Sequence, residues 1–169
     1  MYAVNDTVMY GQSGICKITE ICDKKFGRET KKYYVLRQIF GDNTVIYCPV
    51  DSDKAHIRKL LSAQDVIALI REMPAQQGDW IENDNLRKER QAEILRRGDH
   101  KELIALIKTL YQKRAETEDS GRRFHRADAE AMAQAEKMLY QEFAQVLDIA
   151  PDEVVPFITE EIEKQIKRA

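Results

Sequence analysis

The sequence predicts an α+β fold: a small, strongly bent antiparallel β-sheet followed by an all-helical region. Three observations carry this. Up to Pro49 the chain is a series of short β-prone runs broken by Gly, Asn and Asp. After Ser62 the apolar residues recur at helical spacing. The change from one period to the other falls between Val50 and Ser62, which predicts a β domain over 1–52, a linker over 53–61 and a helical domain over 62–169.

The β elements follow in order. Thr7-Val8-Met9-Tyr10 is β-prone and runs into the turn Gly11-Gln12-Ser13-Gly14. Gly14 to Asp23 alternates for most of its length, with Cys16, Ile18, Glu20 and Cys22 on one face. Lys24 to Thr30, which contains Gly27, reads as a loop. Tyr33 to Phe40 is a second long strand, Gly41-Asp42-Asn43 is hairpin chemistry, and Thr44 to Pro49 is the next strand, with the Pro at its end.

The helices are framed by their end signals. Ser62 caps a first helix with Asp65 in its first turn, an apolar stripe of Val66, Ile67, Leu69 and Ile70, and a stop at Met73-Pro74. A second runs from about Asn83 to Arg97 and stops at Gly98, with Arg87, Arg90, Ile94 and Arg97 sharing roughly one face. Asp99-His100-Lys101-Glu102 is a capping-box pattern ahead of the stripe Leu103, Ile104, Ile107, Leu110, Tyr111. Thr117 to Gly121 reads as a loop. A fourth helix spans about Arg126 to Leu147, and Pro151 opens a fifth.

The single tryptophan, Trp80, stands at the start of the basic part of the helical region. It follows the breakers Pro74 and Gly78 and precedes Arg87-Lys88-Glu89-Arg90. Two readings compete. Trp80 is a core residue, as Trp is highly buried on average, or it is a large aromatic presented beside cations to wedge into nucleic acid.

The net charge of −2 conceals an uneven distribution. Residues 1–60 hold 10 Lys+Arg against 7 Asp+Glu, residues 87–126 hold 12 against 7, and residues 127–169 hold 4 against 10. The middle of the chain suits a polyanion; the tail does not. Three basic groups recur there: Arg87 and Lys88 with Arg90, Lys113 with Arg114, and Arg122 and Arg123 with Arg126. The second and third flank one loop between two helices, so they are expected close in space. The opposing reading for Lys113 and Arg114 is a favourable contact with a helix C-terminus.

The case for an enzyme is thin. His56, His100 and His125 are far apart in charged contexts, and Gly11-Gln12-Ser13-Gly14 lacks the Lys of a phosphate loop. Cys16, Cys22 and Cys48 are odd in number and lack paired metal-ligand spacing, which points to reduced thiols in a cytoplasmic protein. No catalytic residue, metal site, cofactor or small-molecule ligand is expected. No apolar run approaches the roughly 20 residues of a membrane span, and Met1-Tyr2-Ala3-Val4-Asn5-Asp6, with no basic region ahead of an apolar one, is not expected to act as a signal peptide.

Taken in order, Val4-Asn5-Asp6-Thr7-Val8-Met9-Tyr10, the turn exit Gly14-Ile15, Tyr33-Tyr34-Val35-Leu36 and Thr44-Val45-Ile46-Tyr47-Cys48-Pro49-Val50 resemble the CarD/CdnL family of bacterial transcription regulators. Trp80, a basic helix and then Gly98-Asp99 match that family's C-terminal part. The resemblance implies a Tudor-like β domain, of the kind shared with the transcription-repair coupling factor, and a compact helical domain. It implies docking on the RNA polymerase β subunit by strand-to-strand contact through Thr44, Val45, Ile46, Tyr47 and Cys48. It also implies that Trp80 inserts into the minor groove of promoter DNA at the upstream edge of the melted bubble, with little or no sequence preference, and stabilises the open complex. Arg87 and Lys113 are the implied phosphate contacts; Lys88, Arg114, Arg122, Arg123 and Arg126 are the further DNA-contact candidates. The chain departs from the family after Trp80, where Ile81-Glu82-Asn83-Asp84 is acidic, and at Ala129, where a lysine is usual. A competing function is a polymerase-bound adaptor whose helices recruit another protein.

Overall fold

Five strands come first and five helices after, in a computed structural model that describes residues 1–52 and 57–168. The strands are β1 (Thr7–Tyr10), β2 (Gly14–Phe26), β3 (Glu29–Gln38), β4 (Val45–Pro49) and β5 (Ile57–Lys59). The helices are α1 (Ala63–Glu72), α2 (Asp84–Arg97), α3 (His100–Asp119), α4 (Arg126–Leu147) and α5 (Val154–Arg168). The α+β class is thus as the patterning predicts. The chain divides into two units, Met1–Leu60 and Leu61–Ala169.

The first unit is one antiparallel sheet in the order β4-β3-β2-β1-β5, so β4 and β5 are its edges. Val8, Cys16, Ile18, Tyr34, Leu36 and Cys48 form its core. Three sequence expectations are corrected here. Residues 57–59, assigned to a linker, form β5 against β1. The strand is too short and too charged (Ile57-Arg58-Lys59) to announce itself. The rest of that linker, 53–56 with His56, lies outside the described residues. Lys24 to Thr30 is not a loop: β2 and β3 stay paired to Phe26↔Glu29, leaving Gly27 and Arg28 as the turn. Gly27 takes φ 65, where a side chain is disfavoured. Finally, Glu20 and Cys22 do not share a face with Cys16 and Ile18. The register shifts between Ile18 and Glu20, and the extra residue, Thr19, donates its hydroxyl to Val35 O at 3.2 Å. A bulge of this kind reverses the alternation beyond it.

In the second unit the caps fall where the sequence puts them. Ser62 accepts from Asp65 N, Asn83 from Asn85 N and Leu86 N, and Asp99 from Glu102 N. Gly98 ends α2 in the left-handed region. Glu102 does not complete a capping box; its carboxylate pairs with Arg90 and Arg97 instead. α3 continues to Asp119, through most of the expected loop, and Tyr111 is 59% exposed, outside the inward stripe. α4 spans two apolar clusters. One joins Val66 and Ile70 of α1 to Leu139, Phe143 and Val154. The other joins Ile94 of α2 and Leu103, Leu106 and Leu110 of α3 to Ala131, Met132, Ala135 and Met138. Among the described residues, no helix is long and apolar enough to cross a membrane.

Candidate functional site

The segment between α1 and α2 carries Trp80, and two contacts fasten it to α3. Lys108 Nζ donates to the carbonyls of Met73, Pro74 and Gln76, which uses all three ammonium protons. At Gly78 the backbone passes so close to α3 that a Cβ would stand 2.7 Å from Thr109 Oγ1 and 3.1 Å from Ala105 O. A side chain there would force the segment away from α3. Trp80 is thereby set against the rim of the second apolar cluster, partly buried. Neither of the two opposed readings describes it fully: one part of the ring packs, another meets solvent.

Two cations approach the indole. Arg87 Cζ lies 4.3 Å from the ring centroid and Lys113 Nζ 5.0 Å. Contacts of this length are favourable cation–π interactions. The indole Nε1 is buried and has no hydrogen-bond partner among the described residues.

Arg87 differs from what the sequence suggests. It is 5% exposed, on the face of α2 that also buries Gln91 and Ile94. Its five N–H groups have five acceptor contacts: Nε with Asp128 Oδ1, Nη2 with Asp128 Oδ2 and Asp84 Oδ1, and Nη1 with the carbonyls of Ile81 and Glu82. The guanidinium expected to meet DNA phosphate is thus turned into the fold. A guanidinium with every donor engaged inside the fold has none for a ligand. The stretch after Trp80 holds Arg87 through the Asp84 carboxylate and the backbone carbonyls of Ile81 and Glu82. The Arg87 guanidinium in turn holds the exposed Asp84 carboxyl below its ordinary range, first by hydrogen bonding and then by charge.

A cavity of about 230 Å³ opens beside Trp80 and brings the remaining candidates together. Lys113, Arg122, Arg123 and His125 line it with Trp80 and Phe124, and so do Glu82, Asp84, Arg87, Thr117 and Asp128. The turn after α3 is what presents the arginines. Gly121, at φ 73, donates to Glu118 O, and Arg122 N donates to Thr117 O, so the chain reverses tightly. Arg122 and Arg123 are exposed and make no ion pair among the described residues. Besides its contact with the indole, Lys113 pairs with Glu116 at 3.6 Å. The sequence-predicted closeness of Lys113 to Arg122 and Arg123 is therefore present. Lys88, Arg114 and Arg126 lie outside this lining: Lys88 is exposed, Arg114 leans on the Tyr111 ring at 5.6 Å, and Arg126 pairs with Glu130 at 2.8 Å. His125 enters the site through its neighbours on the turn; its charged context gave no such signal. His100 is a structural residue, bound to the buried Glu142 at 2.7 Å.

The other candidate surface is the outer edge of β4. Val45 and Tyr47 are 39% and 46% exposed, whereas Ile46 packs on the sheet core and Cys48 lies within it. Thr44 precedes the strand and bonds Asp42. Lys24 Nζ sits 3.3 Å from the Tyr47 ring centroid. Cys48 is an inert thiol here: burial pushes its pKa up, partly opposed by the Tyr10 hydroxyl. An open edge with exposed apolar side chains is a ready template for pairing with another chain.

Residues 2–61 match the family model described as the CarD-like/TRCF RID domain. The β unit is a CarD-like RNA polymerase-interacting domain. No curated protein matches the chain. The RID match covers the whole β unit, including β5, and it places the protein in transcription with RNA polymerase as its partner. RID domains are non-enzymatic interaction modules. The helical unit lies beyond the match.

Proposed function

We propose that the protein anchors on the β subunit of RNA polymerase through the outer edge of β4 and holds promoter DNA at the upstream edge of the melted bubble through the Trp80 site. It thereby stabilises the open complex. The observation that carries the DNA half is the gathering of Trp80, Lys113, Arg122 and Arg123 around one cavity. Phosphate binding needs several long cations on one surface, and a wedge needs a large aromatic beside them. Arg87 serves as the platform under the indole and not as a phosphate ligand.

Release of Trp80 trades opposing terms. Swinging out lets the buried indole N–H find an acceptor, worth roughly 1–3 kcal/mol, against the loss of its two cation–π contacts and its apolar packing. Unstacking a base step costs about a few kcal/mol. The wedge therefore prefers DNA that is already forked, and differential binding moves the closed–open equilibrium toward the open state. Docking on polymerase raises the local concentration of the wedge, so a modest DNA affinity suffices.

The sole tryptophan makes the test direct. Titrating forked promoter DNA should quench Trp80 fluorescence, with weaker quenching by blunt duplex. Trp80→Ala should shorten open-complex lifetime while co-purification with polymerase persists. Unchanged fluorescence on saturation with forked DNA would refute the wedge, and retained polymerase binding would then favour the adaptor reading.

A further inference from the structure

The hairpin of β2 and β3 outruns its sheet. β1 covers β2 only along Gly14–Lys17, and β4 covers β3 only along Tyr33–Arg37. β2 and β3 pair with one another as far as Phe26↔Glu29. Past a Val50 N–H bond to Lys32 O, residues 23–32 form a two-stranded ribbon with no third strand among the described residues.

This ribbon is the most basic short stretch of the β unit. It holds Lys24, Lys25, Arg28, Lys31 and Lys32 against Asp23 and Glu29, a balance of +3 within a chain of net charge −2. Register assigns the faces. Lys25 and Lys32 fall on one face with Asp23 and Thr30; Lys24 and Lys31 fall on the other with Phe26 and Glu29; Arg28 occupies the tip. Lys24 rests on Tyr47, and Lys31 has an exposed, solvent-screened pair with Glu29. Lys25, Arg28 and Lys32 are exposed and make no ion pair among the described residues. Phe26, 62% exposed, stands at the end of the ribbon, edge-on to Tyr33 at 5.5 Å.

Lysines along an open strand edge discourage strand pairing, but that role needs neither cations on both faces nor an arginine and an aromatic at the tip. Cations on both faces suit a partner with anionic walls on both sides. A groove of duplex DNA has that form, and the major groove admits a two-stranded β-ribbon. An acidic protein patch would engage one face only. We propose that the ribbon 23–32 is a second DNA-contact element, independent of the Trp80 site, which enters a groove of duplex DNA and meets phosphates through Lys25 and Lys32 on one face, Lys31 on the other and Arg28 at the tip.

The test uses the full chain carrying Lys25→Gln, Arg28→Gln and Lys32→Gln together, with circular dichroism to verify the fold. Duplex affinity is followed by anisotropy between about 50 and 200 mM salt. Each phosphate contact contributes about 0.9 to the slope of log K against log salt, so the variant's slope should be shallower by about 2.7. Across that range wild type should then lose about 40-fold more affinity than the variant. The same three changes added to Arg122→Ala/Arg123→Ala should lower the slope further, because the two surfaces act separately. An unchanged slope overturns the proposal and leaves the Trp80 site standing. Loss of polymerase binding with an unchanged slope overturns it too, and assigns the ribbon to a protein contact. Should Arg122→Ala/Arg123→Ala leave forked-DNA binding intact while the ribbon variant loses duplex binding, the Trp80 reading fails and the ribbon stands.

Discussion

Arg87 and Asp128 join α2 to α4 through a two-point ion pair, with Nε 2.9 Å from Oδ1 and Nη2 3.1 Å from Oδ2. Both side chains are almost wholly buried, at 6% and 1% exposure. Gln91 adds a third bond to the same carboxylate. Removing one partner of a buried pair strands the other charge, at a cost of about 3–5 kcal/mol. Arg87→Ala should therefore lower the Tm of the helical unit by more than about 10 °C. Arg87→Lys should rescue poorly, since an ammonium cannot reproduce the fork. A double change to Arg87→Met/Asp128→Leu should recover most of the loss. A melting curve unmoved by Arg87→Ala would mean that the side chain is free after all.

The alternation along β4 sets the second expectation. Tyr47 and Val45 face outward, so Tyr47→Glu and Val45→Glu should keep the β unit folded and weaken polymerase binding by about tenfold or more, as exposed interface aromatics do. Ile46→Glu is a different experiment. It buries a charge against Val8, Cys16 and Leu36 in the core and should lower Tm before it says anything about the interface. Full polymerase binding by a folded Val45→Glu/Tyr47→Glu double variant would remove this edge from the contact.

Gly78→Ala tests how Trp80 is positioned. The new methyl would meet Thr109 Oγ1 at 2.7 Å and the Ala105 carbonyl at 3.1 Å, and α3 is held by its own hydrogen bonds. The loop must give way instead. Overpacking of this kind costs about 1–3 kcal/mol. Trp80 emission should shift to the red as the indole leaves its apolar rim, and Thr109→Ala should restore part of the shift by removing the closer obstacle.

The fold was legible wherever a local signal carried it. Ser62, Asn83, Asp99 and Gly98 act as caps because their chemistry is local, and the apolar stripe of α1 fixed which face turns inward. What the sequence hid depends on partners distant in the chain. Arg87 looks like any surface arginine until Asp128, on another helix, closes on it. The ribbon from Asp23 to Lys32 looks like a charged loop because its strands have no apolar face, and pairing alone keeps them extended. The bulge at Thr19 and the strand at Ile57–Lys59 leave almost no pattern to detect. For the site, the tight turn after α3 brings Arg122 and Arg123 to Lys113 as expected, whereas Gly78 and Lys108 act through α3 contacts that no short motif records.

Alkali should act first on the β unit. Burial pushes the Cys16 thiol up to about 11 from an ordinary value of 9.0, and Tyr10 and Cys48 are raised as well, chiefly by burial. A raised folded pKa means that the protonated thiol is the form the fold favours. Its contribution is complete below the unfolded value and is lost as pH climbs through the folded one. Tm of the β unit should therefore decline between about pH 9 and 11, and Cys16→Ala should flatten that decline. Tyr140, pushed up to about 12 by burial, places the matching loss in the helical unit about a pH step later. Simultaneous melting of both units across this window, unaffected by Cys16→Ala, would contradict the assignment.

The cations around Trp80 should rank by how free they are. Arg122 and Arg123 are exposed, line the cavity and lack ion pairs among the described residues, so Arg122→Ala/Arg123→Ala should weaken forked-DNA binding most. The slope of log K against log salt should become shallower by about 0.9 for each lost contact. Lys113→Gln should do somewhat less to the salt slope, since Lys113 also leans on the indole and on Glu116. It should instead change Trp80 emission in the free protein, which a phosphate contact alone would not do. Arg126→Ala should matter little, because Arg126 already faces Glu130 and stands outside the cavity. Lys88→Ala and Arg114→Ala belong with it. If the order comes out reversed, with Arg126 or Lys88 dominant and the cavity arginines silent, the DNA path does not cross this cavity, and Trp80 is a packing residue at its rim.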